Sequence, residues 1–211
     1  MRRITLRGCG GLRVLAAVFL TALAGCATWV TYGDGSLKGH VVVQWDREDK
    51  FIYLKTSQPL SFQPSFMKIM NIWIVPENMY TDGGSIPRVF WGIPGLSPWA
   101  LGPAYIIHDW LFEVHRCHRP APPEVAQITF EQSAQILAEV GKSLIEVGLV
   151  DNNKLEDIVW AVRTRYARDI WDSDPTPDEC KIPVVSARER ARLGMPAPRT
   201  VVDFVIPPRR R

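Results

Sequence analysis

Two stretches organise the rest of this chain: Thr81-Asp82-Gly83-Gly84-Ser85-Ile86-Pro87-Arg88, and His108-Asp109-Trp110-Leu111-Phe112. The first combines glycines with a carboxylate, a composition that is typical of a tight loop. The second opens an apolar segment with helical spacing, so it predicts a helix that carries neighbouring His and Asp side chains. Because the segments before the loop favour strands and those after it favour helices, the sequence predicts an α+β fold.

Apolar patterning on either side of the loop predicts the individual elements. β-branched and aromatic residues predict strands at residues 41–45, 51–56 and 71–75, the first two paired as a hairpin and the third leading into the loop. The predicted helices span residues 101–114, 124–147 and 151–170. We therefore expect a small N-terminal antiparallel sheet, then the Gly-rich loop, then about three packed helices.

Composition divides the chain into one domain and three flanking segments. Residues 1–25 are predicted to be a signal peptide, and residues 26–39, rich in Gly and Thr, a tether. Residues 40–172 form the expected single α+β domain, which is long enough to bury one core. Residues 173–211 are rich in Pro and Arg, so we expect a solvated or extended tail there.

The N-terminus has the layout of a bacterial export signal. Arginines without any acidic residue precede an apolar run at residues 14–22, which is too short to span a bilayer. The following Leu23-Ala24-Gly25-Cys26 resembles the lipobox of bacterial lipoprotein precursors. This resemblance implies cleavage after Gly25 and acylation of Cys26. Because Ala27 follows instead of an aspartate, it also implies the outer membrane, facing the periplasm; a transmembrane anchor with a chance cysteine is the alternative.

Charge gives no reason to expect a nucleic-acid partner. The chain has 25 basic and 22 acidic residues, and the basic surplus resides in the arginines of residues 1–25. Loss of that segment leaves a nearly neutral protein, so no nucleic acid is expected as a partner. The resemblance to lipoproteins implies contact with a membrane through the N-terminal lipid, and an envelope protein or lipid as the partner.

The cysteines predict one disulfide. Cys9 lies in the signal segment and Cys26 is the predicted acylation site. In an oxidising periplasm the remaining Cys117 and Cys180 are most simply paired, which would join the C-terminal segment to the His-Asp helix. Free thiols and intermolecular pairing are the alternatives.

The octapeptide Thr81–Arg88, the pair Phe90-Trp91 and the stretch His108–Phe112 together resemble the domain of unknown function 1353 family of phages and bacteria. That family's pattern is approximately T-D-G-A-S-I-P-R followed by H-D-x-L-Y, and the resemblance covers roughly residues 38–172. Glycine at position 84 replaces the usual alanine. Phenylalanine at position 112 replaces the usual tyrosine, so any role of that hydroxyl is absent here. The resemblance implies no activity, and the chemistry must be inferred from the residues.

The adjacent His108 and Asp109 are also similar to the dyad of secreted calcium-dependent phospholipases of the A-two type. Neighbours on a helix point about 100° apart, so the histidine can face a substrate while the aspartate faces an ion. Asp82 and Asp109 would give carboxylates to calcium, and the backbone carbonyls of Gly83 and Gly84 further oxygens. The ion would polarise an ester carbonyl while His108 acts as general base towards water.

Other interpretations of the same residues remain open. The histidine would need an orienting acid, for which Glu139 and Asp157 on later helices are candidates. A zinc site built from His115, Cys117 and His118 lacks the usual ligand spacing. The simplest alternative is that the loop and the dyad only lock each other in place. We therefore predict a lipid-anchored envelope protein that acts as a non-catalytic binding or interaction module, with a calcium-dependent ester hydrolase as the alternative.

Overall fold

The computed structural model describes residues 32–47, 50–84, 99–151 and 155–209. The strands are β1 (Ser36–Lys38), β2 (His40–Arg47), β3 (Lys50–Leu54), β4 (Ser61–Gln63), β5 (Met79–Thr81) and β6 (Arg199–Val205). The helices are α1 (Gly102–Cys117), α2 (Pro123–Ala126), α3 (Phe130–Glu146), α4 (Leu155–Val162), α5 (Arg165–Trp171) and α6 (Ala187–Arg192). The predicted acylation site Cys26 and the loop residues Ser85–Arg88 lie outside these ranges. None of the described helices is long and apolar enough to span a bilayer.

The main sheet is antiparallel and has the strand order β5-β3-β2-β6, while β1 and β4 form a separate pair. The predicted hairpin is present as β2 and β3, with Val43 opposite Tyr53. Val41 and Val43 are buried, whereas Val42 is partly exposed, which is the alternation of a strand with one face on the core. The sequence therefore predicted the α+β class correctly, with strands that cover one side of a helical core.

The predicted third strand at residues 71–75 is wrong. The backbone turns at Asn71, whose φ of 53° lies in the left-handed region that asparagine tolerates better than most residues. Ile74 then makes an isolated bridge with Phe62, and this part of the described chain forms no ladder. The strand that leads into the glycine-rich loop is β5, which pairs with β3.

The C-terminal segment is part of the domain, so the expectation of a solvated tail is wrong for its ordered elements. β6 pairs with residues 40–45 of β2, and Val202 and Phe204 pack against the core. Arg190 of α6 is buried and forms an ion pair with Asp46 of β2 at 2.5 Å. The compact unit begins at Tyr32 and includes this segment, so it extends well past the predicted boundary.

Part of the predicted tether is also docked. β1 pairs with β4 in an antiparallel register that places Leu37 opposite Phe62. Lys142 of α3 binds this segment twice, through an ion pair with Asp34 and a hydrogen bond of 3.2 Å to the carbonyl of Tyr32. These contacts hold residues 32–38 against the helical side of the domain.

Helices α1 and α3 pack against each other at the centre of the core. α3 begins at a capping box in which the side chains and backbone N–H groups of Thr129 and Gln132 bond each other, at 3.2 and 2.9 Å. The single helix predicted over residues 151–170 is instead two helices. Thr164 separates them, because its hydroxyl caps α5 by accepting a hydrogen bond from the Ala167 backbone.

A disulfide joins the end of α1 to the C-terminal segment. Cys117 and Cys180 are bonded, with their Cα atoms 5.4 Å apart. Next to it, Arg116 donates to the carbonyl of Ser173 at 3.2 Å and pairs with Glu179 at 3.3 Å. The disulfide and these polar contacts fix the segment after α5 against the helix that carries the His-Asp pair.

Candidate functional site

A cleft of about 860 Å³ lies between α1, the end of β5 with its loop, and the helices α4 and α5. Helix α1 contributes five of its side chains: Tyr105, His108, Asp109, Phe112 and Arg116. These positions recur at helical spacing, so one face of α1 forms the floor of the cleft. The predicted dyad helix thus also forms the floor of this cleft.

A short relay of hydrogen bonds locks the loop to α1. The hydroxyl of Thr81 donates to Oδ2 of Asp109 at 2.7 Å and accepts the backbone N–H of Gly83 at 3.1 Å. Gly83 has a φ of 79°, a conformation that costs glycine nothing and other residues strain. Asp82, between them, is exposed and lines the cleft. This geometry explains why a threonine and a glycine stand two positions apart here.

Gly84 makes the closest approach between the loop and the helix. A Cβ atom at this position would lie 2.7 Å from Cζ of Tyr105, well inside the contact distance of two carbon atoms. The tyrosine ring therefore occupies the space that the alanine of the family pattern would need. Tyr105 was not singled out in the sequence, although its position one helical turn before His108 and Asp109 was a usable signal.

Carboxylates gather where the loop meets the helix. Burial raises the pKa of Asp109 well above its ordinary value, and the nearby charges of Asp82 and Glu113 raise it further, while the Thr81 hydroxyl lowers it. Burial likewise raises the pKa of Glu113 to about 7, although Arg119 lies 3.1 Å from its Oε2 and lowers it. Like charges held this close favour a bound proton or cation. Asp82 and Asp109, the two carboxylates predicted for one site, do share this cleft.

Two buried polar atoms at the cleft floor have no hydrogen-bond partner in the described part of the chain. These are Nε2 of His108, whose residue is 8% exposed, and the hydroxyl of Tyr105, whose residue is 2% exposed. Burial lowers the pKa of His108 to about 4, so its imidazole is neutral near pH 7. Both residues line the cleft.

The other side of the cleft is apolar. Phe112 packs against the rings of His108 and Trp171, with centroids 4.9 and 4.8 Å away. Several side chains of α4 and α5 continue this wall: Ile158, Ala161, Val162, Ala167 and Ile170. At its edge stand Trp160 and Tyr166, each 73% exposed. The cleft therefore has a polar floor and an apolar wall with an aromatic rim.

Of the two candidate orienting acids, the structure removes one. Glu139 is buried elsewhere, where it accepts hydrogen bonds from the backbone and hydroxyl of Ser65 at 2.8 and 2.6 Å and from Gln135 at 3.0 Å. Asp157 does line the cleft. Asp109 directs Oδ2 to Thr81, so its bond serves the loop and not the neighbouring imidazole.

The zinc alternative is wrong. Cys117 is bonded to Cys180, and the ring of His115 stacks on Trp171 with a centroid distance of 4.1 Å. Among the residues that the structure describes, no three His, Cys, Asp or Glu side chains are grouped so that they could hold a metal ion. A calcium ion at Asp82 and Asp109 would consequently need most of its ligands from backbone oxygens and water.

Comparison with known proteins adds a family resemblance and no activity. Neither the curated proteins nor the solved structures contain a significant match to the chain. Residues 57–145, which include both the glycine-rich stretch and the His-Asp pair, match the model of the family described as "Protein of unknown function (DUF1353)", and this match supports the resemblance carried by those two motifs.

Proposed function

We propose that this protein is a non-catalytic binding module whose cleft holds a small amphipathic molecule. One observation carries the proposal: Nε2 of His108 and the hydroxyl of Tyr105 are buried at the cleft floor without a hydrogen-bond partner in the described chain. A buried polar atom left unpaired costs about 1–3 kcal/mol, and native proteins contain few of them. A molecule that hydrogen-bonds to these atoms would remove that cost on binding.

The shape of the cleft supports an amphipathic occupant. Its volume of about 860 Å³ lies in the range of small-molecule sites, which are mostly apolar with a few convergent polar groups. The polar end of a ligand would meet Tyr105, His108 and Asp109, and its apolar part would lie against α4 and α5. The relay from Gly83 through Thr81 to Asp109 holds the floor in place before any ligand arrives.

The surroundings of His108 favour binding over hydrolysis. A general base works best when its pKa is near the working pH, whereas burial lowers the pKa of this histidine to about 4. Its sequence neighbour Asp109 bonds Thr81 and so does not orient the imidazole. A neutral, buried imidazole is well suited to hydrogen-bond a ligand and poorly suited to draw a proton from water.

We further propose that the module is anchored through acyl chains on Cys26 to the outer membrane and faces the periplasm. The lipobox-like Leu23–Cys26 and the alanine after it support this location. Growth with radiolabelled palmitate should label the wild-type protein and not Cys26→Ser. Equal labelling of both proteins, or none in the wild type, would refute the anchor.

Binding can be measured with the neutral fluorescent probe N-phenyl-1-naphthylamine. We expect saturable binding to the wild-type protein, because its rings fit the apolar wall and its N–H can reach the polar floor. Ala161→Trp places bulk in the cleft and should abolish binding, whereas Ala187→Trp, an exposed alanine of α6 away from the cleft, should leave it unchanged. Equal affinity of both variants would refute binding in this cleft.

The calcium-dependent ester hydrolase is the second candidate, favoured because Asp82, Asp109 and His108 line one cleft. It requires that millimolar calcium raise the melting temperature, and that Asp82→Asn remove this rise. It also requires calcium-dependent hydrolysis of phosphatidylcholine vesicles that is lost in His108→Gln. Absence of both effects in the wild-type protein would exclude the hydrolase and leave the binding module intact.

A further inference from the structure

Carboxylates outnumber basic groups along the described part of the cleft. Asp82 comes from the loop, Asp109 from α1, Asp157 from α4, and Asp178 and Glu179 from the segment that the disulfide fixes; the basic side chains are Lys50 and Arg116. Arg116 pairs with Glu179 at 3.3 Å, and Asp178 pairs with Lys181 at 2.5 Å, so a cation balances each of these two carboxylates. The other three carboxyl groups, those of Asp82, Asp109 and Asp157, come from three different elements that converge on one concavity.

A concave surface of one charge sign concentrates its field. Low-dielectric walls on both sides raise the local concentration of oppositely charged ligands. Burial raises the pKa of Asp109, and the nearby charge of Asp82 raises it further. A cation placed between them would relieve that repulsion.

The uncharged groups of the floor suit the same kind of ligand. An alkylammonium group offers hydrogen-bond donors and no acceptor, and the floor offers acceptors: the neutral imidazole of His108, the hydroxyl of Tyr105 and the carboxyl oxygens of Asp109. The ring of Phe112 beside them and the ring of Trp160 at the edge of the cleft can contact a cation favourably. The buried acceptor atoms without a partner and the nearby carboxyl groups therefore both favour a cationic ligand that donates hydrogen bonds.

We infer, building on the proposed binding function, that the cleft selects an organic cation: an amine, protonated near neutral pH, that carries an apolar body. The ammonium group lies at the floor between Asp82 and Asp109, within reach of His108. The apolar body lies along the wall formed by α4 and α5.

The test compares three probes with the same alkyl chain: hexylammonium, hexanol and hexanoate. Calorimetric titration of the purified protein should give an affinity for hexylammonium about tenfold higher than for hexanol, the size expected of one charge-assisted hydrogen bond, and weaker binding still of hexanoate. Asp82→Asn and, independently, Asp157→Asn should reduce the preference for the cation. Asp174→Asn, an exposed aspartate outside the cleft, should not.

The outcomes separate this inference from the function on which it rests. If hexanol and hexanoate bind as tightly as hexylammonium, charge does not select the ligand, and the inference is overturned while binding in the cleft stands. If Asp174→Asn lowers the preference as much as Asp82→Asn, the selection is a property of the net charge, and the inference again fails. If neither these probes nor N-phenyl-1-naphthylamine binds, the binding module itself is refuted.

Discussion

Replacement of His108 by glutamine should change how the stability of the protein depends on pH. Burial lowers the pKa of this histidine from 6.5 to about 4, so the folded state resists a proton that the unfolded state accepts. Between these two values the unfolded chain binds more protons at this site. The free energy of unfolding therefore rises with pH across that window and falls as the solution is acidified.

The size of the effect follows from the shift in pKa. One pKa unit corresponds to 1.36 kcal/mol, so a fall from 6.5 to about 4 is worth about 3 kcal/mol below both values. At pH ~5 the unfolded histidine is nearly all protonated and the folded one nearly all neutral, which gives about 2 kcal/mol of lost stability relative to pH ~7.5. Asp109 and Glu113, whose pKa values are raised by burial, are present in both proteins, so the comparison largely removes their contribution.

Urea unfolding followed by tryptophan fluorescence measures this difference directly. On going from pH ~7.5 to pH ~5, the wild-type protein should lose about 2 kcal/mol more than His108→Gln. His118→Gln removes an exposed histidine at the end of the same helix and shows how much any histidine replacement alters the profile. Parallel profiles for the wild type and His108→Gln would contradict a neutral, buried imidazole at the cleft floor.

Further predictions concern the loop, its contact with α1 and the disulfide. Thr81→Val keeps the shape but removes the hydroxyl that donates to Asp109, so urea unfolding should show a loss of about 1.5–3 kcal/mol, which Thr81→Ser should largely restore. Gly84→Ala forces a Cβ against a buried tyrosine ring and should cost about 1–3 kcal/mol, whereas Gly102→Ala, whose added Cβ has its nearest neighbour at 3.9 Å, should not lower the melting temperature. Cys117→Ser opens a loop of 63 residues and should cost about 4 kcal/mol, and reductant should then have no further effect on unfolding.

The local sequence was sufficient to predict the parts of the site that depend on short-range patterns. Helical spacing and the glycine-rich loop indicated where α1 and the turn at Gly83 lie, and the proximity of the loop to the dyad was predicted from the similarity of the dyad to that of calcium-dependent phospholipases. Two site residues were missed because they act through tertiary contacts. Thr81 binds Asp109 across 28 positions of sequence, and Tyr105 matters because Gly84 packs on its ring.

The C-terminal segment was predicted less well, because its composition conceals its pairing. Arginines and prolines around Thr200–Val205 resemble a solvated tail, yet Val202 and Phe204 lie two positions apart, so both side chains lie on the face of β6 that packs against the core. The partner strand β2 lies more than 150 positions earlier, so no local pattern could indicate the pairing. The buried pair of Arg190 and Asp46 was also not predicted, because its two residues lie far apart in sequence and because an arginine is ordinarily exposed.

A crystal structure of the protein with N-phenyl-1-naphthylamine would test the central claim most directly. The account predicts that the probe lies in the cleft with its rings against α4 and α5, and that its nitrogen is ~3 Å from Nε2 of His108 or the hydroxyl of Tyr105. A probe bound elsewhere on the surface, or a His108 Nε2 already bonded to another group of the protein, would contradict it.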